Sequence, residues 1–184
     1  MVELKREIIK YGKRVVREGL CTSFFGNISI RDSNKIYITA TGTILDELEY
    51  SDIKVCDIDL EKCECASSEY VVHRNIYLKS SSIKAVLHTH SFYSLFLSEA
   101  NISGIDIYEF SSVIGNIGFV EGESGSVELA EKVGCSVKNY DIVIVKNHGV
   151  FGWGDSLKEA YIKISALEYY AKLMFYKNYE GRKI

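Results

Sequence analysis

Apolar residues at helical spacing mark both ends of the chain. Across residues 2–18 the apolar side chains recur every three or four positions and so fall on one stripe of a helix, which Gly19 can end in a left-handed conformation. A similar stripe follows Asp155 or Ser156, either of which can cap a helix that runs to about Lys177. The sequence therefore predicts that the chain opens and closes with amphipathic helices covering a core.

The segments between these helices show the patterns of strands and shorter helices. Ile28 and Ile30 alternate with polar residues, and Ile36 and Ile38 do so after a run of turn residues, which predicts a hairpin. Hairpin strands separated by helices indicate one α/β domain over residues 1–184 with a mostly antiparallel or mixed sheet. We expect strands at 28–30, 36–38, 55–60, 83–87, 117–120, 141–147 and 149–152, a return strand at 63–66, an irregular or partly extended segment at 102–110, and helices at 67–78, 91–99 and 124–137.

Composition narrows the class of protein. At 184 residues and 47% hydrophobic content, a single domain with a sizeable core is expected. The net charge of −3 gives no reason to expect a nucleic acid or an anionic membrane as partner. No apolar run approaches the roughly 18 residues that span a bilayer, and the charged segment 1–13 lacks a signal-peptide core. We therefore expect a cytoplasmic protein.

Cysteine usage points the same way. An odd number of cysteines without a dense framework predicts free thiols rather than disulfides. The spacing of Cys63 and Cys65 also occurs in metal sites, but a second pair is absent from the sequence, so we interpret this stretch as a loop. The five cysteines are Cys21, Cys56, Cys63, Cys65 and Cys135.

Three of the four histidines follow apolar runs that are typical of buried strands. His88 and His90 are two residues apart, so on a strand they point to the same face and can share one target. His148 follows a second apolar run at 142–145. Three imidazoles with one position left open suit a catalytic zinc ion. The alternative is that each is a structural or surface histidine at the end of a strand.

A carboxylate and a fourth histidine lie in the predicted helix 67–78. Ser67 is a suitable N-cap, and Glu69 then falls in the first turn, where the helix dipole favours a negative charge. His73 follows one turn later and is a candidate for a fourth metal ligand. We expect it instead to support the site or to lie at the surface, because three ligands and an open position already satisfy zinc.

Five short motifs, taken in order, resemble those of the class II aldolase/adducin family. The resemblance extends over nearly the whole chain. It implies a three-layer α/β/α sandwich with a predominantly antiparallel central sheet, assembled as a homotetramer. The motifs are Gly26-Asn27-Ile28-Ser29, Thr41-Gly42, Ser67-Ser68-Glu69, His88-Thr89-His90-Ser91 and Asn147-His148-Gly149.

The resemblance also implies a role for individual residues. It implies that His88, His90 and His148 bind one Zn2+ per subunit and that Glu69 is the general acid/base. Backbone amides at a helix start and neutral hydroxyl groups can bind a phosphate dianion without lysine or arginine. The residues implied to hold the substrate phosphate are Asn27, Thr41, Gly42, Ser67 and Ser68.

The activity implied by the resemblance is that of a zinc-dependent aldolase. Such an enzyme cleaves a ketose 1-phosphate, of the L-fuculose 1-phosphate kind, to dihydroxyacetone phosphate and a short aldehyde such as lactaldehyde, through an enediolate that the metal stabilises. The family also contains sugar-phosphate 4-epimerases and methylthioribulose-1-phosphate dehydratases, which remain alternatives. A non-catalytic, adducin-like interaction domain is an alternative of another class, although adducin heads lack the full histidine set.

A second acid/base is needed for the oxygen derived from the aldehyde. In the region after the second histidine, the family's aldolases present a tyrosine, its epimerases an aspartate and its dehydratases a glutamate. Tyr108 and Glu109 are adjacent here, so either residue fits, acting on the metal of its own or of a neighbouring subunit. We favour aldol cleavage with Tyr108 as the partner of Glu69.

Overall fold

Seven strands form one mixed sheet in the computed structural model, which describes residues 2–99 and 107–180, with side chains up to residue 178. Their order across the sheet is β3-β2-β1-β4-β7-β6-β5. Within it only β5 and β6 run parallel, so the prediction of an α/β protein with a mostly antiparallel sheet is confirmed. The strands are β1 (Asn27–Asp32), β2 (Lys35–Thr39), β3 (Ile53–Asp57), β4 (Ala85–Thr89), β5 (Ile117–Val120), β6 (Ile142–Val145) and β7 (Gly149–Gly154).

Helices cover both faces of this sheet because successive strand residues point to opposite sides. Ala85 and Leu87 of β4 belong to one buried cluster, whereas Val86 between them belongs to the other. The helices are α1 (Val2–Arg17), α2 (Tyr70–Lys79), α3 (Phe92–Glu99), α4 (Tyr108–Ile114), α5 (Val127–Ser136) and α6 (Leu157–Glu180), with one 3-10 turn at Tyr50–Asp52. The first cluster contains residues of α1, α3, α4 and α6, and the second contains residues of α2 and α5.

Helix α4 was not predicted from the sequence. The expectation of an irregular or partly extended segment at 102–110 is wrong for its described part, which enters α4; residues 102–106 lie outside the described residues. The helix is only seven residues long, so periodicity is a weak signal there. Packing supplies the stabilisation, since the Phe110 ring lies 5.6 Å from the ring of Tyr170 on α6.

The turn after β3 contains a disulfide. Cys56 and Cys63 are bonded, with 5.8 Å between their Cα atoms, so the expectation of free thiols is wrong for these two residues. The predicted return strand at 63–66 is also wrong, because Ala66 makes only an isolated bridge with Ala40. The Tyr70 hydroxyl lies 2.9 Å from the carbonyl oxygens of Asp57 and Leu60, so its single proton is shared between them or given to one, and the Leu60 backbone N–H also donates to the Asp57 carbonyl.

Strand β4 and the turn between β6 and β7 bring the histidines close together. His88 lies on β4, opposite Asn27 of β1 on one side and Phe151 of β7 on the other. A Cβ at Gly149 would lie 2.5 Å from the Thr89 carbonyl oxygen and 2.8 Å from a ring carbon of His88, so only glycine lets β7 pass this close. The β6–β7 turn, which contains His148, therefore lies directly beside the end of β4. Among the described helices, none is both long and apolar enough to cross a bilayer.

Candidate active site

The structure brings His88, His90 and His148 into one cluster. Each offers one ring nitrogen, and these three atoms lie within 4.8 Å of one another. His88 is fully buried, whereas His90 and His148 are partly exposed, so the cluster opens toward solvent on one side. Three imidazoles converging on one point with an open side are the donor set of a catalytic zinc site.

Hydrogen bonding decides which nitrogen of His88 faces the cluster. Its Nδ1 lies 3.0 Å from the carbonyl oxygen of Val150 and must donate to it, which leaves Nε2 unprotonated. That buried Nε2 lies 3.0 Å from Glu69 Oε2 but without hydrogen-bond geometry, so it has no hydrogen-bond partner. Two acceptor atoms that share no proton therefore lie close together. The arrangement fits a bound cation, because a positive charge would be attracted to both atoms and would relieve the repulsion between them.

The imidazoles are held in the form that metal binding requires. Burial lowers the pKa of His88 to about 3, against a smaller opposing effect of Glu69. Burial likewise lowers the pKa of His90, with His148 acting in the same direction. Neutral imidazole is the ligand form, so at pH 7 these residues need release no proton when a metal binds.

Glu69 is buried at 3% exposure and lies at the N-cap position of α2. The prediction that Ser67 is the N-cap and Glu69 falls in the first turn is wrong, because the helix begins at Tyr70. Ser67 Oγ instead accepts a hydrogen bond from the Glu69 backbone N–H, at 3.3 Å. Since the Glu69 carboxylate makes no capping bond, it is free to point toward the histidines. Its oxygens lie 3.0 Å from His88 Nε2 and 3.4 Å from His148 Nε2.

Two donors hold the Glu69 carboxylate. The Asn27 amide donates to Oε2 at 2.9 Å, and the Ser124 hydroxyl donates to Oε1 at 3.2 Å. Burial raises the pKa of Glu69, but His88, the Asn27 amide and His148 together outweigh burial and lower it. The lowered pKa favours the ionised form of Glu69 at neutral pH, which can accept a proton, and the hydrogen bonds from Asn27 and Ser124 stabilise that charge.

Ser124 is a residue of the site that sequence reasoning missed. It lies in the loop between β5 and α5, 55 residues from Glu69 along the chain. The loop fits closely against the start of α2, because Gly125 has a φ of +69° and a Cβ there would lie 2.8 Å from the Ser68 carbonyl oxygen. A lone serine in a loop carries no sequence signal for this contact, which depends only on how the two segments pack.

The predicted phosphate-binding residues come from three segments, which are Asn27, Thr41-Gly42 and Ser67-Ser68. The second segment is hydrogen-bonded to the backbone just before the third. Thr41 donates through its backbone N–H to the Cys65 carbonyl at 3.2 Å and through its hydroxyl to the Ala66 carbonyl at 3.1 Å. These bonds hold the Thr41-Gly42 turn beside Ser67 and Ser68. Asn27 differs from the expectation, since its amide already bonds Glu69 and only part of its donor capacity is left for a ligand.

Tyr108 and Glu109 are not brought to the histidines. Both lie in the first turn of α4 and are exposed, Tyr108 to 83%. The contacts that the structure gives for Glu69 involve Asn27, Ser124 and the histidines, all from other elements. The second acid/base therefore remains a prediction.

His73 is fully buried and both of its ring nitrogens are occupied. Nε2 lies 2.5 Å from Asn27 Oδ1, and Nδ1 lies 2.7 Å from Ser29 Oγ. This geometry excludes the alternative of a fourth metal ligand. Burial lowers the pKa of His73 to about 4, although Glu69 opposes the change.

The free energy of unfolding of the metal-free protein is expected to fall as the pH drops from 6.5 to about 4. Over this range the unfolded chain takes up a proton at His73 and the folded protein does not, so stability is present above the window and is lost on acidification. The loss amounts to about 3 kcal/mol from this group. Urea unfolding at a series of pH values measures it. His73→Gln should reduce the pH slope by about one proton, and equal slopes for both proteins would contradict the assignment.

Comparisons with known proteins agree with this fold. A family model described as "Class II Aldolase and Adducin N-terminal domain" matches residues 6–175. The L-fuculose phosphate aldolase of Methanocaldococcus jannaschii is 38% identical over 173 residues, covering 92% of this chain and 94% of that protein. The 3-oxo-tetronate 4-phosphate decarboxylase of Haemophilus influenzae is 28% identical over 190 residues, covering 98% and 90%. The crystal structure of L-fuculose-1-phosphate aldolase from Thermus thermophilus has the same fold, with a TM-score of 0.90 at 24% identity, covering 100% and 99%.

Proposed function

This chain is a metal-dependent aldolase of the class II aldolase and adducin family, and we propose that it cleaves L-fuculose 1-phosphate or a closely similar ketose 1-phosphate. The products are dihydroxyacetone phosphate and a short aldehyde, lactaldehyde in the fuculose case. The observation that carries the proposal is the buried Glu69 carboxylate 3.0 Å from the nitrogen of a three-histidine cluster. The relative named L-fuculose phosphate aldolase, at 38% identity over almost its whole length, supports the choice of substrate.

Zinc is the proposed metal, held by His88, His90 and His148. When bound, zinc supplies a Lewis acid for the carbonyl and adjacent hydroxyl oxygens of the substrate. The chain supplies the geometry: the bond from His88 Nδ1 to the Val150 carbonyl fixes the ring so that Nε2 points into the cluster. The Phe151 ring, stacked on His88 with 4.1 Å between centroids, prevents the imidazole from rotating away.

Glu69 is the proposed base in the direction of condensation. Its ionised carboxylate removes a proton from the hydroxymethyl carbon C1 of dihydroxyacetone phosphate, and in cleavage it returns that proton to the same carbon. Asn27 and Ser124 each donate to one carboxylate oxygen, so the group keeps its position in both protonation states. Burial excludes bulk water, which would otherwise compete for the proton.

The phosphate is proposed to lie at the start of α2, against Thr41, Gly42, Ser67 and Ser68, with Asn27 at its edge. Free N–H groups at a helix N-terminus and hydroxyl donors suit a dianion. The bonds from Thr41 to the 65–66 backbone support this arrangement, because they hold the Thr41-Gly42 turn beside the segment that leads into Ser67 and Ser68.

Tyr108→Phe is expected to slow both the cleavage that releases the aldehyde and the condensation that uses it by about a hundredfold, while sparing C1 proton exchange. Tyr108 is proposed to give its proton to the aldehyde-derived oxygen at the site of a neighbouring subunit, which accounts for its 83% exposure within one chain. Rates of condensation and exchange measured on the same preparation test the split. Glu109→Gln is the matched control. If that control is inactive and Tyr108→Phe behaves as wild type, a dehydratase or epimerase replaces the aldolase.

A homotetramer is the expected state in solution. Phe25 stacks on His90 with 5.0 Å between ring centroids and yet is 50% exposed, and Phe24 and Phe92 nearby in the chain are 61% and 73% exposed. A subunit interface at this point would cover these rings and bring a neighbouring Tyr108 to the site. Light scattering at micromolar concentration measures the mass, and a monomer would contradict both the assembly and the proposed role of Tyr108. Neither nucleic acid nor membrane is proposed as a partner, and a cytoplasmic location remains the expectation.

A panel of substrates tests the proposed reaction directly. Zinc-loaded protein is given dihydroxyacetone phosphate with lactaldehyde and other short aldehydes, and the products are identified. Ribulose 5-phosphate, methylthioribulose 1-phosphate and 3-oxo-tetronate 4-phosphate are tested in parallel for epimerase, dehydratase and decarboxylase activity. The last is included because a 28% identical relative is named as that decarboxylase. Condensation with lactaldehyde is the expected result, and turnover of only one of the other three compounds would replace the proposed substrate.

A further inference from the structure

We propose that His73 is a positioning residue that, through a buried hydrogen-bond chain, holds the Asn27 amide in the orientation that donates to Glu69. The proposal rests on the proposed function of Glu69 as the base. It concerns a fully buried histidine that lies outside the metal cluster.

The chain joins five buried side chains of helix α2, its N-cap and strand β1. Glu69, His73 and Tyr77 are spaced by four residues and so lie on one face of the helix, while Asn27 and Ser29 are spaced by two and lie on one face of the strand. The side chains of the two elements interdigitate. The successive contacts are Tyr77 OH to Ser29 Oγ at 2.7 Å, Ser29 Oγ to His73 Nδ1 at 2.7 Å, His73 Nε2 to Asn27 Oδ1 at 2.5 Å, and Asn27 Nδ2 to Glu69 Oε2 at 2.9 Å.

The ionised carboxylate sets every donor in the series. Glu69 can only accept, so the Asn27 NH2 group must face it and the Asn27 carbonyl must face His73. His73 Nε2 must then carry the proton, and Nδ1 must accept. The Ser29 hydroxyl therefore donates to Nδ1, and the Tyr77 hydroxyl donates to Ser29. A single assignment of protons satisfies all five groups.

His73 supports this assignment from the other side of Asn27. The Asn27 amide is nearly symmetric, and turned over it would place its carbonyl oxygen against the Glu69 carboxylate. The Nε2 proton of His73 holds the Asn27 carbonyl away from Glu69, because the turned amide would oppose two N–H groups at 2.5 Å. Full burial keeps the imidazole neutral, with one donor and one acceptor, as the series requires.

The tautomer of His73 provides the first test. Nitrogen-15 spectra of the whole protein labelled in histidine, with and without zinc, distinguish protonated from unprotonated ring nitrogens at pH 7. We expect His73 to have a protonated Nε2 and an unprotonated Nδ1. An Nδ1-protonated ring or an imidazolium would overturn the proposal, whatever the enzyme proves to act on.

A pair of substitutions provides the second test. His73→Leu keeps the volume but removes the donor to Asn27, and we expect exchange of the C1 proton of dihydroxyacetone phosphate to slow by about 10- to 100-fold with KM and zinc content unchanged. His73→Gln retains one donor and one acceptor, and we expect it to restore most of the exchange rate. If His73 had only a structural role, the exchange rate of both variants would fall in proportion to their loss of stability.

Tyr70→Phe is the matched control. It removes a buried hydroxyl from the same helix, but one that bonds only the carbonyls of Asp57 and Leu60. This variant should lose stability and keep its exchange rate. Wild-type exchange in His73→Leu, or equal impairment of the Gln and Leu variants, would overturn the proposal. If wild-type protein shows no exchange at all, the proposed function fails, and the nitrogen-15 result still decides the direction of the chain.

Discussion

Replacing His88 by alanine is expected to abolish zinc binding and to reduce aldol cleavage by more than about a hundredfold. His88 is the only fully buried member of the cluster, and its Nε2 is oriented by the Val150 carbonyl before any metal arrives. Removing it leaves two imidazoles, too few for a tight zinc site. Metal content after purification and dialysis, measured by mass spectrometry together with cleavage rate, checks the result.

The same loss is expected for His90→Ala and His148→Ala, which remove the partly exposed ligands. All three variants should remain folded by circular dichroism, with the largest loss of stability in His88→Ala, because that change deletes a ring stacked on Phe151. His73→Gln is the control, since the fourth histidine has both nitrogens occupied elsewhere and its variant should retain zinc. Full zinc in any one of the alanine variants would remove that residue from the ligand set.

Glu69→Gln is expected to slow the exchange of the C1 proton of dihydroxyacetone phosphate with solvent by about 10²- to 10⁴-fold, which is effectively a loss of the activity. The amide has the shape of the carboxylate but cannot accept the proton. Because the Asn27 and Ser124 contacts accommodate a side chain of the same size, the histidine cluster should stay intact. Loss of the C1 proton signal in heavy water, followed by NMR with zinc-loaded protein, measures the rate.

Zinc content is the control that separates this effect from metal loss. Glu69→Gln with normal zinc and no exchange would support Glu69 as the base, whereas Glu69→Gln with little zinc would make the carboxylate part of the metal site. Exchange at the wild-type rate, with zinc present, would assign the base to another residue. That outcome would also remove the reason for the buried chain through Asn27 and His73.

Local patterns were sufficient for much of the fold. The apolar run before His88 and the spacing of His88 and His90 identified a buried strand with two ring donors on one side, because side-chain direction in a strand follows from a period of two. The closing helix was predicted from apolar residues that recur every three or four positions over a long segment. Residue type indicated the chemistry, because three histidines and a glutamate limit the reactions that a site can perform.

The sequence by itself thus determined most of the strands, the amphipathic helices at both ends and the set of groups able to bind a metal, because each depends on residues close together in the chain. Only the tertiary structure decided how those groups are used. It joined Ser124 to Glu69 across 55 residues, occupied both nitrogens of His73, bonded Cys56 to Cys63 and placed Tyr108 on an exposed helix. The physical reason is that a hydrogen bond or disulfide depends on ångström-scale distance between segments, and packing sets that distance, whereas periodicity reports only which face of one segment is buried.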